Sequence, residues 1–260
     1  MKSKLLIITG ANGQVGSFLA RSYAGGSEPL LLLYHKGFQR IGDLRQKGRV
    51  ILKACDLRSF KETISAIESA CREFDAVPAR VVHTAALRSY DARSLAESDP
   101  EIFCKVLETN LRMAYNTLRA CLPGMLAQKF GRIVMFGSNV VATGLKNGAA
   151  YAAAKAGIVN LVKSVALETA PSDVLINAIS PAPIKTELED DYAGEYLQFR
   201  KEYFARYRRL SPTGKLVSRQ EIKTFVDLLL SDEIRNYTGA NIIIDGGLST
   251  AVSGEIQEEN

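Results

Sequence analysis

The stretch that most constrains this 260-residue chain is Thr9-Gly-Ala-Asn-Gly-Gln-Val-Gly16, because of what flanks it. A short apolar run, residues 5–9, leads into it, and residues 14–24 after it read as a helix. In a strand–turn–helix the three glycines have separate tasks. Gly10 permits the tight turn, Gly13 lets the backbone approach a pyrophosphate, and Gly16 lets the helix pack on the strand. The helix N-terminus then offers unpaired N–H groups and a positive dipole end to phosphates. The alternative is a tight turn that holds no ligand.

The rest of the chain repeats the alternation. Strands are expected at residues 30–34, 50–55, 80–83, 132–137, 174–179 and 241–245, and helices at 59–73, 102–122, 151–169 and 219–230. Within 59–73, Phe60, Ile64, Ile67 and Cys71 recur at three- and four-residue spacing and form one apolar face. Strands separated by helices imply right-handed crossovers and a parallel sheet covered on both faces. About seven strands use residues 1–247. The expectation is one doubly wound α/β domain followed by a polar, loose tail at 248–260.

Composition excludes several classes of function. Lys and Arg number 33 against 28 Asp and Glu, and 33 − 28 = +5, spread along the chain. That excess suits anionic ligands and gives no reason to expect nucleic acid. Four cysteines without a Cys-x-x-Cys pair and only two histidines, His35 and His83, argue against a metal site. The thiols read as reduced and mostly packed. Apolar runs such as residues 30–33 are too short for a bilayer, and the first residues lack a signal peptide's apolar stretch. No membrane association and a cytoplasmic location are expected.

The second strand bears on the cofactor. Dinucleotide folds often place an acid on the adenosine ribose about 20 residues beyond the glycine turn. Here the strand ends Tyr34-His35-Lys36-Gly37, Arg40 is close by, and no acid appears until Asp43. A carboxylate would repel a 2′-phosphate, whereas Lys36 or Arg40 would attract it, so NADP(H) is expected ahead of NAD(H). The plain alternative is a solvated loop lysine. Asp56, at the end of the third strand, either accepts from an adenine amino group or caps the following helix.

Tyr151-Ala-Ala-Ala-Lys155 opens a helix, and positions four apart share a face. A tyrosine with a pKa of about 10 is a poor acid–base group near neutrality. A nearby ammonium stabilises the phenolate and brings that value toward the working range. Ser138 follows a strand at the carboxyl end, where such sheets bind ligands.

With these motifs in place, the sequence resembles the short-chain dehydrogenase/reductase family over essentially its whole length, and most of all the branch of 3-oxoacyl-acyl-carrier-protein reductases. Tyr151-Ala-Ala-Ala-Lys-Ala-Gly157 matches the catalytic helix, and Gly131-Arg-Ile-Val-Met-Phe-Gly-Ser138 the serine strand. Asn110 in Glu108-Thr-Asn-Leu111 matches the helix asparagine. Ile176-Asn-Ala-Ile-Ser-Pro181 with Thr186 is similar to the nicotinamide-carboxamide segment, and residues 237–247 to the closing strand. The resemblance implies a Rossmann-type fold and a carbonyl–alcohol oxidoreductase. Tyr151 would be the proton donor, Ser138 would polarise the carbonyl, Lys155 would lower the tyrosine pKa and hold the nicotinamide ribose, and Asn110 would position a relaying water. It also implies dinucleotide contacts from Gly10, Asn12, Gly13, Gln14, Val15, Gly16, His35, Lys36, Asp56, Leu57, Ala85, Tyr151, Lys155, Pro181, Ile184 and Thr186.

The chain departs from that branch in two places. Only two residues separate Gly10 from Gly13, and His83-Thr-Ala-Ala86 stands where Asn-Asn-Ala-Gly is usual; both resemble the family's extended branch. His83 reads as a strand-end residue against the cofactor. A 3-oxoacyl thioester leads as substrate, and an acyl-carrier protein is a candidate partner, although Ser172 stands where a basic residue is usual. The alternatives are an NAD(H)-linked dehydrogenase of a polyol, steroid or cyclic alcohol, and a non-catalytic NADP-sensing protein. Residues 187–211 would form the substrate lid. There Tyr192, Tyr196, Phe199, Tyr203 and Tyr207 form an aromatic stripe, with Arg200, Lys201, Arg206, Arg208 and Arg209 largely off it. The stripe either covers an apolar substrate or packs on the domain. A homotetramer or homodimer built on the helices at 102–122 and 151–169 is expected.

Overall fold

A computed structural model of the chain describes residues 2–88 and 92–250. The apolar runs are strands because each is apolar on both faces, which suits a parallel sheet sandwiched between helices. β1 (Ser3–Thr9), β2 (Leu30–Tyr34), β3 (Val50–Ala54), β4 (Ala76–His83), β5 (Gly131–Phe136), β6 (Val174–Pro181) and β7 (Asn241–Ile244) form one sheet in the order β3-β2-β1-β4-β5-β6-β7. Every pairing is parallel.

Helices cover both faces. On one side lie α1 (Gln14–Tyr23) and, late in the chain, α7 (Arg219–Leu230), around Ile8, Leu19, Leu32, Val134, Ile179, Ile222 and Val226. On the other lie α2 (Phe60–Glu73), α3 (Pro100–Gln128) and α5 (Ala149–Thr169), around Ile7, Leu31, Ile67, Leu118, Ile133, Ile158 and Ile176. The single turn α4 (Val140–Thr143) precedes α5, and α6 (Gly194–Leu210) lies in the lid. By length and mean hydropathy, 1.2, the helix at Ala149–Ser172 would be apolar enough to cross a membrane. Its apolar residues instead fill the sheet's helical layer: Ala154, Ile158, Val162 and Ala166 are buried there.

Two elements run longer than their sequences suggest, each through a proline. β4 begins at Ala76, not at residue 80, and carries Pro78. The β1–β4 register shifts between Leu5 and Leu6, where the chain accommodates a residue that cannot donate. α3 continues past Pro123 to Gln128 and ends on Lys129 in the left-handed region, with φ 52°. Gly124, the next residue, packs on β4: a Cβ there would come within 3.1 Å of the Pro78 ring. At the chain's end Leu248–Thr250 forms one 3-10 turn, and residues 251–260 of the expected tail lie outside the described residues. Of the thiols, Cys55 and Cys121 are buried, whereas Cys104 is exposed on α3.

Candidate active site

The chain runs outward from β1 to β2 and β3, then crosses back to β4 on the other side of β1, so a crevice opens above the carboxyl ends of β1 and β4. The glycine turn fills its floor. Gly10 has φ +66°, and a Cβ on it would lie 2.7 Å from the Ala85 nitrogen. A Cβ on Gly16 would lie 2.3 Å from the Gly10 carbonyl oxygen. Gly13 is the N-cap of α1 and has no side chain to cap it, which leaves the first N–H groups of the helix for a ligand.

Two adjoining cavities share Gly10, Gly13, Thr84, Ala86 and Arg88. Asn12, His35, Lys36, Asp56, Leu57 and Ala85 line the one beside β2 and β3. Gln14, Val15, Gly16, Ser138, Tyr151, Lys155, Pro181, Ile184 and Thr186 line the other. The fold thus brings all the expected dinucleotide contacts to one crevice. A groove with a side-chain-free helix start at its centre and Lys36, Arg58 and Lys105 at one end suits the charge of a dinucleotide.

The catalytic candidates converge at the far end. Ser138 sits just past β5, Tyr151 in the first turn of α5, and Lys155 one turn later. Tyr151 and Ser138 line the same cavity, and the serine is near enough to favour the phenolate. The Lys155 ammonium is buried 5.7 Å from the Tyr151 ring centroid and donates to the Phe136 carbonyl at 2.7 Å. Burial, and then the Arg88 charge, pull the lysine down to about 8. Burial pushes the Tyr151 phenol up, opposed by Arg88, Arg200 and Ser138. The cations that favour the Tyr151 phenolate are thus two arginines, and not the lysine four residues on that the sequence singled out. Arg88 carried no motif, and only the tertiary fold places it here.

Four other residues take positions their sequence did not fix. Asn110 is fully buried: its Oδ1 accepts from Leu87 N (3.0 Å), and its Nδ2 donates to Leu87 O (2.8 Å) and Val106 O (2.7 Å). Its side chain is thus committed to holding the segment that carries Ala85 and Arg88, and it does not line the crevice. His83 is also fully buried, bonded through Nδ1 to Thr9 Oγ1 (2.9 Å), and lies behind the crevice wall rather than against a cofactor. Asp56 does not cap α2; Ser59 does, accepting from Glu62 N. The Asp56 carboxylate is held by Arg58 at 2.7 Å, and that hydrogen bond holds its pKa at about 2. Arg40, the second expected phosphate cation, is paired with Asp190 (3.1 Å) and Asp191 (3.2 Å).

Those acids belong to the lid, which is fastened to the glycine turn. Gln14 accepts from the Glu187 N–H at 2.8 Å and donates to the Glu187 carbonyl and to Asp191 (3.0 Å). Beyond a 3-10 turn at Leu188–Asp190, Tyr192 precedes α6 and packs with Leu188 and Phe204. The aromatic stripe is divided: Tyr207 joins the main core and donates to Asp245 O, while Tyr192 and Tyr203 line the catalytic cavity. Arg200 is not off the stripe. It lines the same cavity, stacked among Tyr192 (5.4 Å), Tyr203 (5.4 Å) and Phe204 (5.1 Å).

A family model described as enoyl-(acyl carrier protein) reductase matches residues 16–249. The chain is 28% identical over 256 residues to a 3-oxoacyl-[acyl-carrier-protein] reductase of Escherichia coli, covering 95% of this chain and 98% of the relative. It is 29% identical over 254 residues to the oxidoreductase UcpA of Salmonella typhimurium, covering 95% of each. Among solved structures, an NAD+-bound xylitol dehydrogenase superposes with a TM-score of 0.82 at 25% identity, covering 94% of this chain and 98% of that one. A 3-oxoacyl-[acyl-carrier protein] reductase from Brucella melitensis superposes with a TM-score of 0.82 at 26% identity, covering 96% and 92%.

Proposed function

This chain belongs to the short-chain dehydrogenase/reductase family, and from that premise we propose that it is an NADP(H)-dependent oxidoreductase interconverting a carbonyl and a secondary alcohol. The observation that carries the reading is the meeting of Ser138, Tyr151 and Lys155 on one wall of the crevice above the glycine turn. In this reading the turn from Gly10 to Gly16 holds the pyrophosphate, Asp56 and Leu57 border the adenine, and Pro181, Ile184 and Thr186 border the nicotinamide. Lys36 holds the 2′-phosphate. It lies two residues past β2, and the acids Asp56 and Asp43 are paired with Arg58 and Arg21.

A bound NADP(H) supplies or accepts the hydride. The chain's own groups manage the oxygen. Ser138 donates to the carbonyl oxygen and orients it, and Tyr151 gives its phenolic proton as the alkoxide develops. Arg88 and Arg200 stabilise the phenolate that remains, which matters because burial alone disfavours it. Lys155, one helical turn from the tyrosine, holds the ribose. Asn110 acts at one remove, fixing the loop that carries Ala85 and Arg88. A 3-oxoacyl compound is the leading substrate class, a thioester of it being what the relatives' names suggest, and a tetramer built on α3 and α5 is the expected assembly.

Titration with NADPH and NADH, read by nicotinamide fluorescence, tests the cofactor assignment. Tighter NADPH binding, weakened by Lys36→Gln, is expected; an NADH preference overturns it. Tyr151→Phe separates enzyme from sensor: turnover lost with dinucleotide binding intact is expected. Full biological activity in that variant would sink the catalytic reading.

A further inference from the structure

The catalytic cavity has a charge imbalance. Among the described residues its lining includes Arg88, Lys155 and Arg200 and no carboxylate. Two of these cations have clear engagements: Lys155 donates to Phe136 O, and Arg88 lies 3.7 Å from Asp191 and 4.7 Å from the Tyr192 ring centroid. Arg200 differs. It is surrounded by three aromatic rings, and its Nε is a buried donor with no acceptor among the described residues.

The lid is not short of acids, yet the four at its start are paired elsewhere, and neither Glu195 nor Glu202 lines the cavity. Glu187 pairs with Arg219, Glu189 with Lys201, Asp190 with Arg40, and Asp191 with Arg40 and Arg88. A guanidinium stays protonated at any working pH, and rings satisfy its face but not its in-plane N–H donors. A buried donor left unmade is costly, so such a group persists where a ligand completes it.

We propose that Arg200 is a specificity-determining residue that receives a carboxylate on the substrate, so that the preferred carbonyl compound is an oxo acid with an apolar body. The proposal deepens the carbonyl–alcohol reading of the same cavity and rests on it. The planar fork of a guanidinium matches a carboxylate bidentately. Val140, Leu145, Leu188, Tyr192, Tyr203 and Phe204 supply the apolar surroundings. The charge of Arg200 also acts on Tyr151, so a carboxylate seated on it lies within electrostatic reach of the reacting carbonyl. A carrier-bound thioester has no charge at its acyl end and leaves Arg200 uncompensated.

The test is calorimetric titration of the protein, alone and saturated with NADP+, with phenylacetate and with uncharged phenylacetamide. The proteins are the wild type, Arg200→Gln, Arg200→Lys and, as a control on the other side of α6, Arg206→Gln. The expected result is carboxylate binding at least tenfold tighter than amide in the wild type and in R206Q, a smaller gap in R200K, and no gap in R200Q. Equal binding of acid and amide in the wild type overturns the proposal, as does a gap that survives R200Q. Should R200Q fail to fold, R200K decides, because a guanidinium-specific fork predicts a reduced gap there. Turnover of a 3-oxo acid and its methyl ester separates the two readings. Equal kcat/KM sinks the anion site and leaves the reductase; a carboxylate preference in binding with no turnover of any carbonyl sinks the reductase and leaves the site.

Discussion

Gly16→Ala tests how tightly the glycine turn is built. The added Cβ would stand 2.3 Å from Gly10 O, 2.9 Å from Thr84 Oγ1 and 3.0 Å from Ala11 Cα. Comfortable contact begins near 3.5 Å, so α1 and the turn must part by about 1 Å. Gly10 cannot yield alone, since the backbone of Ala85 blocks it from behind. Thr84 cannot rotate freely, because its hydroxyl donates to Thr9 O at 2.7 Å. Overpacking of this kind costs about 1–3 kcal/mol. The better helix propensity of alanine returns up to about 1 kcal/mol, leaving a net loss of at most about 3 kcal/mol. Dinucleotide affinity should fall about tenfold or more, because the N–H groups that face the phosphates move with the helix. Urea unfolding followed by circular dichroism and an NADPH titration measure the two effects. Gly25→Ala, with no atom within 4 Å of the added Cβ, serves as the control. A Gly16→Ala protein that matches the wild type in both urea midpoint and NADPH affinity would refute the packing argument.

Three further outcomes are expected. His83 is held neutral, since burial and then the Lys155 charge pull it from 6.5 to about 3. The unfolded chain therefore binds the extra proton: the stability His83 lends above pH 6.5 declines as pH falls toward 3, by at most about 1.4 kcal/mol per unit. Urea unfolding at pH 7 and 5.5 should show a shallower loss in His83→Gln than in the wild type, and equal losses would place the acid sensitivity elsewhere. Asn110→Leu strands the Leu87 N–H and carbonyl, at a cost of about 2–4 kcal/mol, and a change below about 1 kcal/mol in the same assay would contradict that role. Gln14→Leu should release the lid, seen as faster amide exchange at residues 187–191 with little change in global stability; unaltered exchange would show the lid held by other contacts.

The strands at 30–34 and 174–179 and the helix at 219–230 were legible because their residues obey one rule throughout: apolar on both faces, or apolar on one. β4 and α3 were cut short because Pro78 and Pro123 are local stop signals. At Pro78 what overrides the signal is non-local, a register shift against β1. At the site, every expected dinucleotide contact reaches the crevice, since such contacts sit at the ends of strands the pattern already located. Arg200 shows the opposite case. Helical periodicity places it near Tyr196, Tyr203 and Tyr207, but its charge argued for an outward position. Only the cavity, with its unmatched donor, shows why a cation faces in. Arg40 and Asp56 were mis-weighted for a related reason, because ion pairs with Asp190, Asp191 and Arg58 are invisible to spacing.

The bond between Gln14 and Glu187 joins residues 173 positions apart by both the N–H and the carbonyl of one extended residue. The lid therefore cannot be treated as an exchangeable cassette. A graft that replaces residues 187–211 with a lid from another reductase keeps its register only if its first residue stays extended and within reach of the carboxamide on α1. A library that varies the lid while preserving this anchor would alter the mouth of the crevice without loosening its floor. One that varies position 14 as well would disturb both at once.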